Sequence, residues 1–133
     1  MKALKIVATV VLIYLGVVVA FESLLGFLQP TAGSILVITT FDEDGTPHDR
    51  VVSRLESAGH LYVATNHWPR AWYNRALDNP EVQVTVDNEK GDYRAIPVSG
   101  MEHDRLDSDH SLGVGFRILT GFPPRYFVRL DPR

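Results

Sequence analysis

The 133-residue chain contains no cysteine. Disulfides, thiolate zinc sites and cysteine nucleophiles are therefore excluded, and thiol usage says nothing about the redox compartment. Positive charge is not in excess either. The formal net charge is −3, and because Lys2, Lys5 and Glu22 give +1 over the first thirty residues, the remainder carries −4. That balance excludes a broad nucleic-acid surface. The chain also lacks an internal repeat, a low-complexity tract, a phosphate-cradling glycine motif and a nucleophile elbow with Ser, His and Asp partners. Hydrolase and nucleotide-triphosphatase chemistry has no footing in it.

What is present begins with an unbroken apolar run from Ile6 to Phe21, resumed after Glu22 and Ser23 by Leu24, Leu25, Phe27 and Leu28. Counted from Leu4 to Leu28, it is long enough to cross a bilayer as a helix, and Gln29-Pro30-Thr31-Ala32-Gly33 ends it. Three readings compete. Residues 1–30 form a single-pass transmembrane helix in the cell membrane; or Val18-Val19-Ala20 closes a cleaved signal peptide; or the β-branched residues belong to a buried strand or core helix. The apolar pattern beyond Ala20 favours the anchor. Lys2 and Lys5 ahead of the segment favour an inside amino terminus and an outside domain.

Residues 31–133 read as one α+β domain, mainly β. Ser34 to Phe41 is rich in Ile, Val and Thr, and Asp42-Glu43-Asp44-Gly45-Thr46-Pro47 turns it into a second strand, about Asp49 to Ser57. Its period of two puts Val51, Ser53 and Leu55 on one face and Arg50, Val52, Arg54 and Glu56 on the other. Ala58-Gly59 leads into His60 to Thr65. Val82, Val84 and Val86 alternate with polar neighbours, Asn88-Glu89-Lys90-Gly91 turns, and Tyr93 to Ser99 and Arg125 to Leu130 complete the set. Pro97 suits an edge or a bulge. The expectation is a six-stranded antiparallel barrel with one inserted helix, and Met101 to Pro124 as a short helix or a lid-like loop.

The inserted helix runs from about Pro69 to Asn79. Pro69 fits a first turn, where its missing N–H would be unpaired anyway, and Pro80 cannot continue the helix. Trp72 and Ala76, like Tyr73 and Leu77, are four apart and are expected against the barrel, with Arg70, Asn74 and Arg75 nearer solvent or a ligand. Free N–H groups of the first turn, beside Asn66, His67 and Arg70, favour an anion. The local pairs Arg50 with Arg54 and Arg70 with Arg75 suit a small phosphorylated ligand better than a polymer.

The run Pro69-Arg70-Ala71-Trp72-Tyr73 through Asn79-Pro80-Glu81-Val82, after a strand ending in small polar residues, resembles the deazaflavin-dependent nitroreductase family, relatives of the pyridoxamine-phosphate-oxidase-like split β-barrels. The resemblance covers about Ser34 to Pro132. It implies coenzyme F420 or FMN as cofactor, a quinone-like or nitroaromatic acceptor, and a possible homodimer. That chemistry is mainly cytoplasmic in the family, which opposes the lysine argument, so the side of the membrane stays open. The family carries a basic Gly-Arg-Lys-Ser-Gly run before the second strand and an Arg after its Pro. Here Phe41-Asp42-Glu43-Asp44-Gly45 and His48 stand there instead, and three carboxylates repel a polyanionic tail.

The candidate cofactor-binding set is therefore His48, Arg50, Val52 and Arg54 on the strand, Thr65, Asn66, His67 and Trp68 at the strand-to-helix junction, and Arg70, Trp72 and Tyr73 on the helix. The strand arginines and Arg70 are expected on the phosphate, with His67 and Trp68 near the ring. For Arg50 and Arg54 the rival is a solvated strand face; for Trp68 and Trp72 it is core packing. Glu102 to His110 is rich in His and Asp but matches no recognised metal spacing, so it reads as a solvated acidic loop, with no metal and no catalytic residue assigned. Two functions follow: a membrane-anchored F420/FMN split-barrel oxidoreductase, and a non-catalytic protein holding a flavin, haem or lipid-like ligand in the same groove.

Overall fold

Among the described residues, alternating apolar residues build seven strands: β1 (Ile35–Phe41), β2 (Pro47–Ser53), β3 (Leu55–Ser57), β4 (His60–Asn66), β5 (Glu81–Val86), β6 (Glu89–Pro97) and β7 (Arg125–Pro132). Four helices accompany them: α1 (Lys2–Phe27), α2 (Ala71–Asp78), α3 (Gly100–Asp109) and α4 (Val114–Thr120). The computed structural model describes residues 1–27, 34–66, 70–122 and 124–133. It divides into one unit made of residues 1–28 and 112–123 and a second made of 29–111 and 124–133.

The second unit is a curled antiparallel sheet in the order β2-β1-β5-β6-β7-β4-β3. β2 and β3 follow each other in the chain yet lie at opposite edges. The sheet must curl until those edges meet at Arg54, whose N–H donates to the Ser34 carbonyl at 3.0 Å. This corrects the expectation of one strand over Asp49 to Ser57, and of six strands in all. The alternation runs on unbroken, but the backbone changes partner from β1 to β4 at Arg54. The β5–β6 turn is also displaced, because Asp87 and Asn88, at φ 50° and 67°, form the two-residue left-handed turn that matches strand twist, while Gly91 lies within β6.

The concave face holds the core. Leu36, Ile38, Val52, Val63, Val82 and Val84 are buried there, and α2 lays Trp72 and Ala76 onto them. Arg70 is extended at the head of α2, and at its foot the Asn79 N–H bonds to the Arg75 carbonyl at 2.8 Å before Pro80 stops the helix. Tyr73 packs on the core, but Leu77, expected there too, is exposed.

On the convex face Leu106 of α3 packs with Tyr62 and Phe127. The stretch expected as a solvated acidic loop is this helix, and a single inserted helix becomes three. One apolar anchor is little signal, and α3 is held largely by charge. The Tyr62 hydroxyl donates to Glu102 at 2.8 Å, and Arg129 donates to both Glu102 oxygens at 3.0 and 3.1 Å and to Asp131 at 2.8 and 3.1 Å. Arg125 grips Asp107 at 2.7 Å.

Burial alone would raise the Glu102 pKa, but the bonds from Tyr62 and Arg129 outweigh it and hold the carboxyl below its ordinary value; Arg129 does the same for Asp131. A depressed carboxyl pKa adds stability that is full above the unfolded value near about 4 and fades as pH falls through the folded one. Glu102→Gln is therefore expected to lower urea stability at pH 7 by about 1–2 kcal/mol and to flatten its loss between pH 5 and 3. Equal pH slopes for the two proteins would contradict this.

Candidate functional site

The concave face of β1 and β2 is apolar at one end and polar at the other. Register pairs Leu36 with Val52, Ile38 with Arg50 and Thr40 with His48, so all six share one face. His48, Arg50 and Val52 are more enclosed than Asp49 and Ser53, as the period of two predicts. Val52 itself is core.

α2 brings two more cations to the polar end. Arg75 donates through Nε to the Thr40 hydroxyl at 2.9 Å, and Thr40 is fully buried. Arg70 lies near enough to Arg50 for the two charges to feel each other: burial, and then the Arg70 charge, lower the Arg50 pKa. Arg50, Arg70 and Arg75 are all half-buried. Two like charges held together in a partly desolvated place favour an anion between or beside them.

An aromatic surface adjoins on α2 and β7. Tyr73 stacks on Tyr126, with ring centroids 6.0 Å apart and planes 16° apart, and Trp72 meets Tyr73 edge-on at 5.9 Å. Burial and the neighbouring Tyr126 raise the Tyr73 pKa, so its phenol keeps its proton. Thr65 pairs with Tyr126 and Asn66 with Arg125 in the β4–β7 ladder, which places the end of β4 beside the stack. Sequence reasoning missed Thr40 and Tyr126. Tyr126, Val128 and Leu130 alternate on one face of β7, and following that alternation from the core would have found Tyr126.

Other candidates fall elsewhere. Trp72 is 5% exposed and belongs to the core. Arg54 stands at the seam, with Glu56 at 3.6 Å and Asp87 at 3.5 Å, four residues or roughly 13 Å along the chain from Arg50. His67, Trp68 and the side chain of Asn66 lie outside the described residues. In the acidic turn, His48 binds Asp42 at 2.6 Å, and hydrogen bonds from Thr46 lower the Asp44 pKa, so its carboxylate stays ionised.

No family model matches the chain, and no curated protein matches its sequence. Solved structures do resemble it. A candidate pyridoxamine 5'-phosphate oxidase from Listeria innocua is 15% identical, with a TM-score of 0.55 over 76% of this chain and 85% of that one. An F420-H2 dependent reductase is 18% identical, with a TM-score of 0.54 over 76% of this chain and 98% of its own. The haem storage protein HutZ from Vibrio cholerae is 16% identical, with a TM-score of 0.53 over 75% and 82%. These likenesses show the split-barrel fold.

Proposed function

We propose that this protein is a membrane-anchored oxidoreductase that holds FMN or coenzyme F420 on the concave face of its barrel and reduces a small quinone-like or nitroaromatic acceptor. The convergence of Arg50 and Arg70 beside the Thr40–Arg75 pair carries the reading. Arg50 and Arg70 bind the cofactor phosphate, and Thr40 orients Arg75 toward the same region. Tyr73 and Tyr126 offer an aromatic face to a planar ring. The protonated Tyr73 hydroxyl serves as a hydrogen-bond donor for an acceptor oxygen. A flavin or deazaflavin supplies the hydride chemistry when bound.

The acidic turn fits FMN better than the acidic tail of F420. The anchor reading rests on α1, where Lys2–Leu25 is long and apolar enough to cross a membrane and is almost wholly exposed, unlike the core helix of a globular domain. Pairing of two copies is proposed from the family resemblance.

Full-length protein purified in detergent, incubated with FMN or F420 and passed through gel filtration, is expected to elute as a dimer with a visible FMN band and less F420. A colourless peak with both cofactors would overturn the reading. Uptake of haem by a peak that refuses both would assign the barrel to ligand storage.

A further inference from the structure

We infer that the segment Leu112–Phe122, centred on α4, is embedded in the lipid bilayer together with α1, so that this protein meets the membrane through two segments and not one. The inference rests on the anchor reading of α1 and goes beyond it.

The first observation is the surface. Within the unit they share, α4 packs on the carboxyl-terminal half of α1: Phe116 meets Phe21 edge-on at 5.9 Å, and Gly121 lies so close to Val18 that a Cβ there would stand 3.2 Å from its side chain. Packing uses only part of α4. Val114, Ile118, Leu119 and Phe122 stay exposed, as do Val11, Leu15 and Val19 of a helix that is apolar on all sides. Apolar side chains left exposed on both helices fit hydrocarbon better than any single protein partner.

The second observation is how polar groups are satisfied. A helix end in hydrocarbon must find partners for its last carbonyls without water. In α4 the carbonyls of Arg117 and Ile118 find theirs within the unit. The Phe116 carbonyl accepts from Thr120 at 3.0 Å, and that of Arg117 accepts from the Phe122 N–H at 2.9 Å. The Ile118 carbonyl accepts from the Gly121 N–H at 3.3 Å and from the Tyr14 hydroxyl at 2.8 Å. Gly121 makes this closure possible through its left-handed φ of 78°. Thr9 and Ser23 likewise turn back to the Lys5 and Val19 carbonyls, so each hydroxyl of the unit donates within it. Back-bonding by Thr and Ser is common in any helix. The Tyr14 bond is not, because it spends a phenol from the middle of an apolar helix on a neighbouring backbone.

Charge agrees. Glu22, the unit's acid, is buried, and Arg117 is the charged residue of Leu112–Phe122. A lone cation can reach lipid phosphates with its head while its stem stays in hydrocarbon.

The absence of cysteine makes the test direct. Val114→Cys, Phe122→Cys, Leu12→Cys and Asp44→Cys in the full-length chain, each carrying an environment-sensitive NBD label, are reconstituted into vesicles of phosphatidylcholine and phosphatidylglycerol. Labels at 114 and 122 are expected to shift to the blue, to be quenched at least twofold more by nitroxide lipids than the label at 44, and to escape aqueous iodide. If 12 lies in lipid while 114 and 122 respond to iodide like 44, the inference fails and the anchor stands. Should all of them respond like 44, the anchor reading fails as well. Protection of 114 and 122 from both quenchers would mean a protein surface covers α4, a second copy included, and would overturn lipid as its neighbour.

Discussion

Replacing Arg50 or Arg70 with alanine is expected to weaken FMN binding roughly ten- to a hundredfold, since a hydrogen bond to a charged group is worth about 1.5–3 kcal/mol. The reason lies in the two cations themselves. Burial and the Arg70 charge already disfavour the charged form of Arg50, and a phosphate relieves that repulsion while gaining charge-assisted bonds. Arg54→Ala is expected to change affinity less than about twofold, because Arg54 stands at the seam among Glu56 and Asp87. Fluorescence titration of the three variants separates these outcomes. If neither Arg50→Ala nor Arg70→Ala exceeds twofold, the phosphate lies elsewhere. Neutral amides at Asp42, Glu43 and Asp44 are expected to raise affinity for F420 more than for FMN, because only F420 carries an extended acidic tail.

The other large effect concerns stability. Trp72→Ala removes the bulkiest α2 side chain from the concave core, where it is buried among Ala76, Val82 and their neighbours, and should cost about 3–5 kcal/mol. For a domain stable by about 5–15 kcal/mol, that is a large share of the total. Urea unfolding followed by circular dichroism measures it. Trp72→Phe, which keeps most of the packing, should leave FMN affinity within about twofold. A cost under about 1 kcal/mol for Trp72→Ala, or a large affinity loss in Trp72→Phe with the fold intact, would make Trp72 a ligand-facing ring and not a core one.

Much of the barrel was legible because its signals are local. Alternation in β1, β2 and β5 has a period of two, and Trp72 and Ala76 at four residues mark the buried side of α2. The features that sequence reasoning missed depend on distant partners. Arg54 sits in an unbroken alternating pattern, and nothing nearby records that the backbone leaves β1 for β4 there. In α3, Leu106 is the sole buried apolar residue, and its fixing charges pair with Arg125 and Arg129 on a strand almost twenty residues or more away. Arg50 could be placed on one strand face with Val52 from sequence, but its nearness to Arg70 needed the fold. Tyr126 entered the site only because β7 lies beside β4 and under α2.

The most direct measurement is redox turnover by the full-length protein in detergent, loaded with FMN and, in parallel, with F420. The account predicts that the protein-bound visible band bleaches under a mild reductant and returns on addition of a soluble quinone or nitroaromatic acceptor, and that Arg50→Ala and Arg70→Ala lose this cycle at cofactor concentrations that saturate the unaltered protein. A bound cofactor that bleaches but is never reoxidised by either acceptor faster than the same cofactor free in solution would contradict it.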